Sequence, residues 1–335
     1  IGGDIARSMK RSNYLVLETQ AQAFPHWTPY PGQLRLQAFS HLASGANMVA
    51  YWPWHSIHNS FETYWKGLLS HDFAPNPVYE EATTIGADFA RLSPQLVNLK
   101  KTNRTALLVS NDSLTALEWF KLPGFKKKYN DVVRLMYEQL YDMNIGCDII
   151  YPSSEHLDQY RLLIVPALYA APDSLLERLN AFVSNGGQIV YSFKSGFADQ
   201  HLKVRTVPQP GIISAACGIS YSMFVEPKHV GLKDDPFQVG DENNTIDTWM
   251  ELITPATAEV LAYYDHPHWG SYAAITTNRY GNGTATYIGC MPSVAIMRQV
   301  LERAVREAGL WSADQALAFP LITKSGINAQ GRAVH

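Results

Sequence analysis

Short apolar runs separated by amphipathic segments recur along the chain. The first run, residues 14–17, is followed at once by the carboxylate of Glu18, and a second run covers residues 47–52. Runs without polar alternation are typical of strands buried on both faces of a parallel sheet. Between them, Pro31-Gly32 predicts a helix start and Gly45 a helix end. The apolar face of this helix would consist of Leu34, Leu36, Phe39, Leu42 and Ala43.

Glu18 is the first candidate for chemistry, because it ends a predicted buried strand. Right-handed crossovers place the loops after consecutive parallel strands on one side of the sheet, and barrel enzymes carry catalytic groups on that side. Solvation or helix capping also explains a glutamate at the end of a strand. Aromatic residues follow both strands, with Trp27 in the first loop and Trp52 and Trp54 in the second. Flat aromatic faces pack against sugar rings, but also within cores.

The motifs around Glu18 resemble the nucleophile strand and loop of glycoside hydrolase family 42 β-galactosidases. The resemblance rests on Leu17-Glu18-Thr19-Gln20, His26-Trp27-Thr28-Pro29 and residues 31–35. It continues through residues 50–54 and through residues 61–72, which include Phe61-Glu62-Thr63-Tyr64-Trp65 and His71-Asp72. It implies an α/β fold that begins with the last strands and helices of a TIM (β/α)8 barrel. It also implies a retaining β-galactosidase, which releases terminal β-D-galactose from a galactoside substrate.

The resemblance implies roles for five residues. Glu18 would be the catalytic nucleophile, and Trp27, Trp52 and Trp65 would line the galactose subsite. Glu62, on a helix after the eighth barrel strand, would bind galactose hydroxyls, and a solvent-facing helical glutamate is the alternative. Trp65 departs from the family pattern, in which histidine is common, and this indicates more stacking and one hydrogen-bonding group fewer. The acid/base glutamate of the family lies upstream on the fourth strand. We therefore expect a C-terminal fragment with little or no activity alone.

The rest of the first domain, residues 1–103, is predicted to be mainly helical. A helix over residues 1–12 precedes the Glu18 strand, with Asp4 and Arg7 on its solvated face. A long helix within residues 73–101, kinked or ended by Pro94, would link the barrel to the next domain.

A second domain is predicted over residues 104–315, where strands and helices alternate as in a doubly wound α/β sheet. Its main predicted strands are residues 105–109, 147–150, 162–165 and 188–192, with helices at 130–144 and from Asp173 to 183. Shorter strands are predicted at 260–264, 273–278 and 285–288, with a hairpin turn at 280–283 and a helix at 293–308. Residues 197–256 are predicted to be irregular and to contribute subunit contacts.

This second domain resembles the flavodoxin-like or glutamine-amidotransferase-like domain that mediates trimer formation in the same family, which implies a homotrimer. Pro166 and Ala167 follow the strand at 162–165, where an amidotransferase would place its cysteine. Cys217 is a weak alternative nucleophile without an activating partner, so the domain is interpreted as non-catalytic. Residues 316–335 resemble the start of a small C-terminal β domain. The alternative functions are a non-catalytic oligomerisation module and, less favoured, an amidotransferase-like enzyme.

Composition argues against several other classes of protein. A net charge of −3 and a pI near 6.4 give no basic surface for nucleic acid and no polybasic membrane segment. The three widely spaced cysteines favour reduced thiols in the cytoplasm over disulfides or a metal site. His55, His58 and His71 are interpreted as surface residues. We expect no cofactor, no metal, no membrane span and no nucleic acid partner.

Overall fold

The structure is a computed structural model that describes residues 1–121, 127–317 and 319–335. The chain has an α/β fold and divides into two compact units. The first unit comprises residues 1–102 together with residues 323–335, and the second comprises residues 103–322.

The first unit begins with two parallel strands connected by a helix. Its elements are α1 (Gly2–Lys10), β1 (Tyr14–Gln20), α2 (Gln33–Ala43), β2 (Ala46–Trp52) and α3 (Pro77–Leu96). α2 packs against α3 through an edge-to-face contact of Phe39 with Phe89, whose ring centroids are 5.5 Å apart. α3 starts at Asn76, whose side chain accepts hydrogen bonds from the N–H groups of Val78 and Tyr79. The predicted order of strand, helix and parallel strand is confirmed.

The two faces of the β1–β2 pair have different surroundings. Gln37 of α2 donates a hydrogen bond of 3.1 Å to Thr19 Oγ1, so α2 covers the face on which Thr19 lies. On the opposite face, Leu15 and Leu17 are 54% and 74% exposed. The prediction that β1 is buried on both faces is therefore wrong for this chain. Leu36 of α2 is also exposed, although the sequence predicts it on the apolar face.

The acidic and basic residues of α1 are buried, so the predicted solvated face is wrong at two positions. Asp4 and Arg7 are 4% and 6% exposed and form an ion pair of 2.6 Å. Arg7 also donates to the carbonyl of Ser44 at 2.9 Å, and Lys324 Nζ lies 3.3 Å from Asp4 Oδ2. Tertiary contacts thus satisfy charges that a helical pattern alone assigns to solvent.

The second unit contains an eight-stranded sheet covered by helices. Its longer strands are β3 (Thr105–Leu108), β4 (Cys147–Ile150), β5 (Leu162–Val165), β6 (Gln188–Ser192), β10 (Ile246–Glu251), β12 (Glu259–Asp265), β13 (Ala273–Tyr280), β14 (Gly283–Ile288) and β15 (Cys290–Pro292). Its short strands are β7 (Ile219–Ser220), β8 (Phe224–Val225), β9 (Gly231–Leu232) and β11 (Thr254–Pro255). The sheet order is β4-β3-β5-β6-β14-β13-β12-β9, parallel from β4 to β14 and antiparallel beyond.

Within residues 103–121, 127–317 and 319–322, five α-helices accompany these strands. They are α4 (Asn111–Trp119), α5 (Tyr129–Asp142), α6 (Asp173–Ser184), α7 (Ser214–Cys217) and α8 (Val294–Glu307). The predicted strands 147–150, 162–165 and 188–192 have the observed bounds, and each is centred on apolar residues. The expectation that residues 197–256 are irregular is wrong at β10, the six-residue strand Ile246–Glu251.

The last strands, β16 (Gly326–Ile327) and β17 (Ala333–Val334), form a small antiparallel pair in the first unit. Lys100 and Ile327 exchange two backbone hydrogen bonds of 2.8 Å, which tie this pair to the end of the first segment. Within the described ranges, no helix combines the length and the apolar character of a membrane span.

Candidate active site

Glu18 lies in an irregularity of β1. Val16 pairs with Val49 and Thr19 with Tyr51, so three residues of β1 advance against two of β2 and the register shifts at Leu17 and Glu18. Such a bulge redirects side chains and is frequent beside active sites. Here it leaves both Leu17 and Glu18 exposed. β1 continues to Gln20, so the loop starts three residues later than predicted.

Two of the predicted tryptophans are in direct contact at the carboxyl end of this strand pair. Trp52 is the last residue of β2 and pairs with Gln20 of β1. Its ring meets the ring of Trp65 edge to face, with centroids 4.9 Å apart. Phe24 contacts the other side of Trp65 at 4.5 Å, again edge to face. These three rings define an aromatic cluster, and the sequence does not predict the contribution of Phe24.

Trp27 joins the same region through its backbone. Lys66 Nζ donates to the carbonyl of Trp27 at 2.8 Å and to Thr28 Oγ1 at 2.5 Å. Because Lys66 follows Trp65 directly, this lysine holds the loop after β1 against the loop after β2. The tryptophan itself is partly exposed.

Glu62 does not lie on a helix. Residues 60–64 form a turn in which Thr63 N–H donates to the carbonyl of Ser60 at 3.2 Å. Trp65 N–H then donates to the carbonyl of Glu62 at 2.8 Å. Proximity to Trp65 is therefore set by this turn, and the predicted helical placement of Glu62 is wrong. The carboxylate of Glu62 is on a half-buried side chain.

Two polar atoms of this part of the first unit are buried without a hydrogen-bond partner among the described residues. They are the Tyr51 hydroxyl and the indole Nε1 of Trp65. Burial also raises the pKa of Tyr51 to about 12. A buried donor in this state costs about 1–3 kcal/mol.

The second unit lacks the features of an amidotransferase nucleophile at the described positions. β5 is followed by Pro166 and by Ala167, which has a φ of 35° and is fully buried. Cys217 is fully buried at the end of α7, and burial raises the pKa of its thiol well above the ordinary value. A reactive cysteine needs an accessible, stabilised thiolate, and the surroundings of Cys217 provide neither.

A buried charged cluster in the second unit has no counterpart in the sequence predictions. Lys194 is 4% exposed and Glu251 is fully buried. The Lys194 ammonium lies over the rings of Trp249 and Phe197, 3.9 and 4.1 Å from their centroids. The Glu251 carboxylate accepts hydrogen bonds from the Lys194 backbone N–H and from the side chains of Tyr221, Trp249 and Tyr287. A single lysine after a strand carries no sequence signal for such a site.

No group of three or more potential metal ligands occurs within residues 1–121, 127–317 and 319–335. The candidate site consists of the predicted nucleophile and the aromatic residues that lie near it along the chain. Glu18, Trp52, Trp65 and the backbone of Trp27 all belong to the carboxyl end of β1–β2 or the loops that follow.

Two family models match the chain in succession. Residues 2–92 match a model described as β-galactosidase, glycoside hydrolase family 42. Residues 103–311, more than half of the chain, match a model described as the β-galactosidase trimerisation domain of the same family. The resemblance inferred from the motifs around Glu18 is thereby confirmed.

Individual relatives agree with these models. The chain is 28% identical over 306 residues to the β-galactosidase BgaB of Geobacillus sp. (strain Y412MC61), covering 90% of this chain and 45% of the relative. It is 27% identical over 346 residues to GanA, a β-galactosidase of Bacillus subtilis (strain 168), covering 98% and 48%. The chain thus spans about half the length of the curated relatives it matches.

Solved structures show the same fold. A β-galactosidase from Bacillus circulans sp. alkalophilus superposes with a TM-score of 0.84 at 23% identity, covering 97% of this chain and 49% of that one. A β-galactosidase from the Antarctic haloarchaeon Halorubrum lacusprofundi gives a TM-score of 0.81 at 26% identity, covering 92% and 46%.

Proposed function

The chain belongs to glycoside hydrolase family 42, and we propose that it supplies the nucleophile and part of the galactose subsite of a retaining β-galactosidase. The observation that carries this proposal is the bulge that exposes Glu18 in β1, two residues before Gln20, which pairs with Trp52 of the aromatic cluster. A retaining glycosidase needs a second carboxyl group about 5–5.5 Å from the nucleophile, to protonate the leaving oxygen and then activate water. We propose that a glutamate on an earlier barrel strand, outside the 335 residues, provides it.

The open face of β1 and β2 supports a closed TIM barrel in the whole enzyme. Leu15 pairs with Met48 in the sheet, and both side chains are exposed, as is Leu17. Burying such a face is favourable by about 25 cal/mol per Å² of apolar surface removed from water. Further barrel strands would cover it and would enclose Glu18 in a pocket.

The proposed subsite uses the aromatic cluster as its wall. Trp27, Trp52 and Trp65 offer ring faces for the apolar side of galactose. The carboxylate of Glu62 would accept hydrogen bonds from sugar hydroxyls. The indole N–H of Trp65 is buried, so this residue would contribute its ring and not a hydrogen bond, in keeping with its departure from the family's histidine.

The nucleophile is tested in the longer protein that contains this chain, with a nitrophenyl-β-galactoside as substrate. Glu18→Gln should lower kcat by about 10⁴-fold or more. Glu18→Ala should be rescued by azide, with formation of the α-galactosyl azide, because azide then attacks from the face that Glu18 occupied. Glu80→Gln, on the exposed side of α3, is the control and should keep full activity. Turnover of Glu18→Gln within about tenfold of the unmutated enzyme would overturn the assignment.

The same samples test a second proposed role, assembly of a homotrimer through the second unit. The support for it is the match of residues 103–311 to a trimerisation domain. Light scattering should give three times the mass of one chain for the unmutated protein and for Glu18→Gln alike. A monomer would remove the assembly role and leave the catalytic one untouched. We also propose a cytoplasmic location, because Cys217 and Cys290 are buried as thiols.

A further inference from the structure

The connection between β2 and α3 carries both Glu62 and Trp65 without a helix or a long strand to support them. Several backbone hydrogen bonds close it, and two of them involve Trp65. Trp65 N–H donates to the carbonyl of Glu62 at 2.8 Å, and Ile57 N–H donates to the carbonyl of Trp65 at 3.0 Å. Ser60, at the start of the turn, has a φ of 74°, which is unfavourable for a residue with a side chain. A turn of this kind needs additional contacts to keep one geometry.

The imidazole of His71 supplies those contacts. Its Nε2 lies 3.1 Å from the carbonyl oxygen of Ile57 and 2.9 Å from that of Thr63. Both partners are acceptors, so Nε2 must carry the proton and share it between them. Thr63 directly follows Glu62, and the N–H of Ile57 donates to the carbonyl of Trp65. The imidazole of His71 thus contacts backbone carbonyls on both sides of the turn.

His71 is held in turn by its own neighbours. His58 Nε2 lies 2.5 Å from the backbone carbonyl of His71. The His58 ring stacks on Phe73 with centroids 4.6 Å apart and an interplanar angle of 17°. His55 meets the same phenyl ring edge to face at 5.0 Å. His58 and His71 are exposed, as the sequence predicts, and His55 is half-buried; a ring nitrogen of each lies within hydrogen-bond distance of a backbone carbonyl.

We propose that His71 is a positioning residue for the galactose subsite, which it serves by fixing the backbone on either side of Glu62 and ahead of Trp65. This inference rests on the proposed function of Glu62 and Trp65. His71 acts only through the loop and does not touch the substrate. Displacement of binding groups by about 1 Å is enough to lower catalytic efficiency up to 10²-fold.

The test compares His71→Ala with His71→Gln in the longer protein. The alanine variant should raise KM about tenfold and leave kcat within about threefold, because it loosens binding groups and leaves the nucleophile in place. Glutamine keeps an N–H donor of similar reach and should recover most of the lost affinity. His156→Ala, an exposed histidine of the second unit, is the control and should leave both constants unchanged.

A second readout does not depend on activity. In the 335-residue chain itself, hydrogen exchange of the peptide over residues 57–65 should accelerate in His71→Ala and slow again in His71→Gln. An unchanged KM together with unchanged exchange would overturn the inference, as would a loss confined to kcat in proportion to the unfolded fraction. If the unmutated enzyme did not hydrolyse galactosides, the proposed function would fail, and the exchange rates would still decide the role of His71 in the turn.

Discussion

Replacing Glu251 by glutamine should change the pH dependence of stability in a defined direction. The Glu251 side chain is fully buried, and three donors converge on Oε1: the Lys194 backbone N–H at 2.8 Å, the Tyr221 hydroxyl at 2.9 Å and Trp249 Nε1 at 3.2 Å. The Tyr287 hydroxyl donates to Oε2 at 2.9 Å. Glutamine keeps the size and the acceptor oxygen, and its amide group can donate to the Tyr287 oxygen. The substitution therefore removes the titrating group at little cost in packing.

The magnitude follows from burial. Desolvation raises the pKa of Glu251 from 4.5 to about 7, against the opposing effect of hydrogen bonds from the Lys194 N–H, Tyr287 and Tyr221 and of the Lys194 charge. The folded chain therefore binds this proton more tightly than the unfolded chain between these two values. Stability conferred by the protonated group is present below pH 4.5 and is lost as the pH rises towards 7. That rise in pKa corresponds to about 3 kcal/mol.

The lysine beside it contributes in a separate window. Desolvation lowers the pKa of Lys194 to about 8, and the nearby Glu251 opposes the shift. The unfolded chain then binds more protons between about pH 8 and the ordinary value of 10.5, so stability increases with pH in that range. The two windows do not overlap, and measurements below neutral pH isolate Glu251. Tyr169, Tyr264 and Cys290 face the cluster, and burial raises the pKa of each, which keeps them protonated throughout.

The assay is urea unfolding of the full chain, followed by circular dichroism, from about pH 5 to about pH 7. The free energy of unfolding of the unmutated chain should fall relative to that of Glu251→Gln by about 2 kcal/mol over this interval, which is the larger part of the full effect. Glu259→Gln, at an exposed position of β12, should run parallel to the unmutated chain. Glu251→Ala should lose about 3–5 kcal/mol at every pH, since it strands the buried donors and Lys194. Parallel curves for Glu251→Gln and the unmutated chain would refute the reasoning, because Glu251 would then be ionised throughout.

Two further predictions concern the exposed strand face and the buried thiols. Leu17→Glu should change the free energy of unfolding of this chain by less than about 0.5 kcal/mol, since Leu17 is 74% exposed. In the longer enzyme the same substitution should cost more than about 3 kcal/mol, because a closed barrel would bury the new carboxylate. Equal effects in the two proteins, compared by urea unfolding, would contradict barrel closure. Cys217 should stay unmodified by a thiol reagent in the folded chain and react only after unfolding in urea, because the side chain is fully buried and burial raises its pKa. Rapid modification of the native protein would instead favour an amidotransferase-like nucleophile.

The candidate site shows where sequence reasoning succeeds and where it stops. The motif around Glu18 identifies the family because it records chemistry along a continuous stretch of chain. It does not reveal the bulge at Leu17 and Glu18, which exists only relative to the register of β2. Nor does it place Glu62 correctly, since a polar segment beside aromatic residues is compatible with a helix or a turn. The contacts of His71 with the carbonyls of Ile57 and Thr63 come from outside that turn, so a local pattern does not reveal them.

The sequence by itself determined the order of elements, the bounds of the most apolar strands and the membership of family 42. These features depend on local patterns: unbroken apolar runs, glycine and proline at turns, and a dense motif. The tertiary structure alone decided which charges are buried, as with the Asp4–Arg7 pair and with Lys194 and Glu251. Burial of a charge is favourable only when partners from distant segments supply hydrogen bonds and opposite charge. Those partners are many residues away along the chain, so no local pattern specifies them.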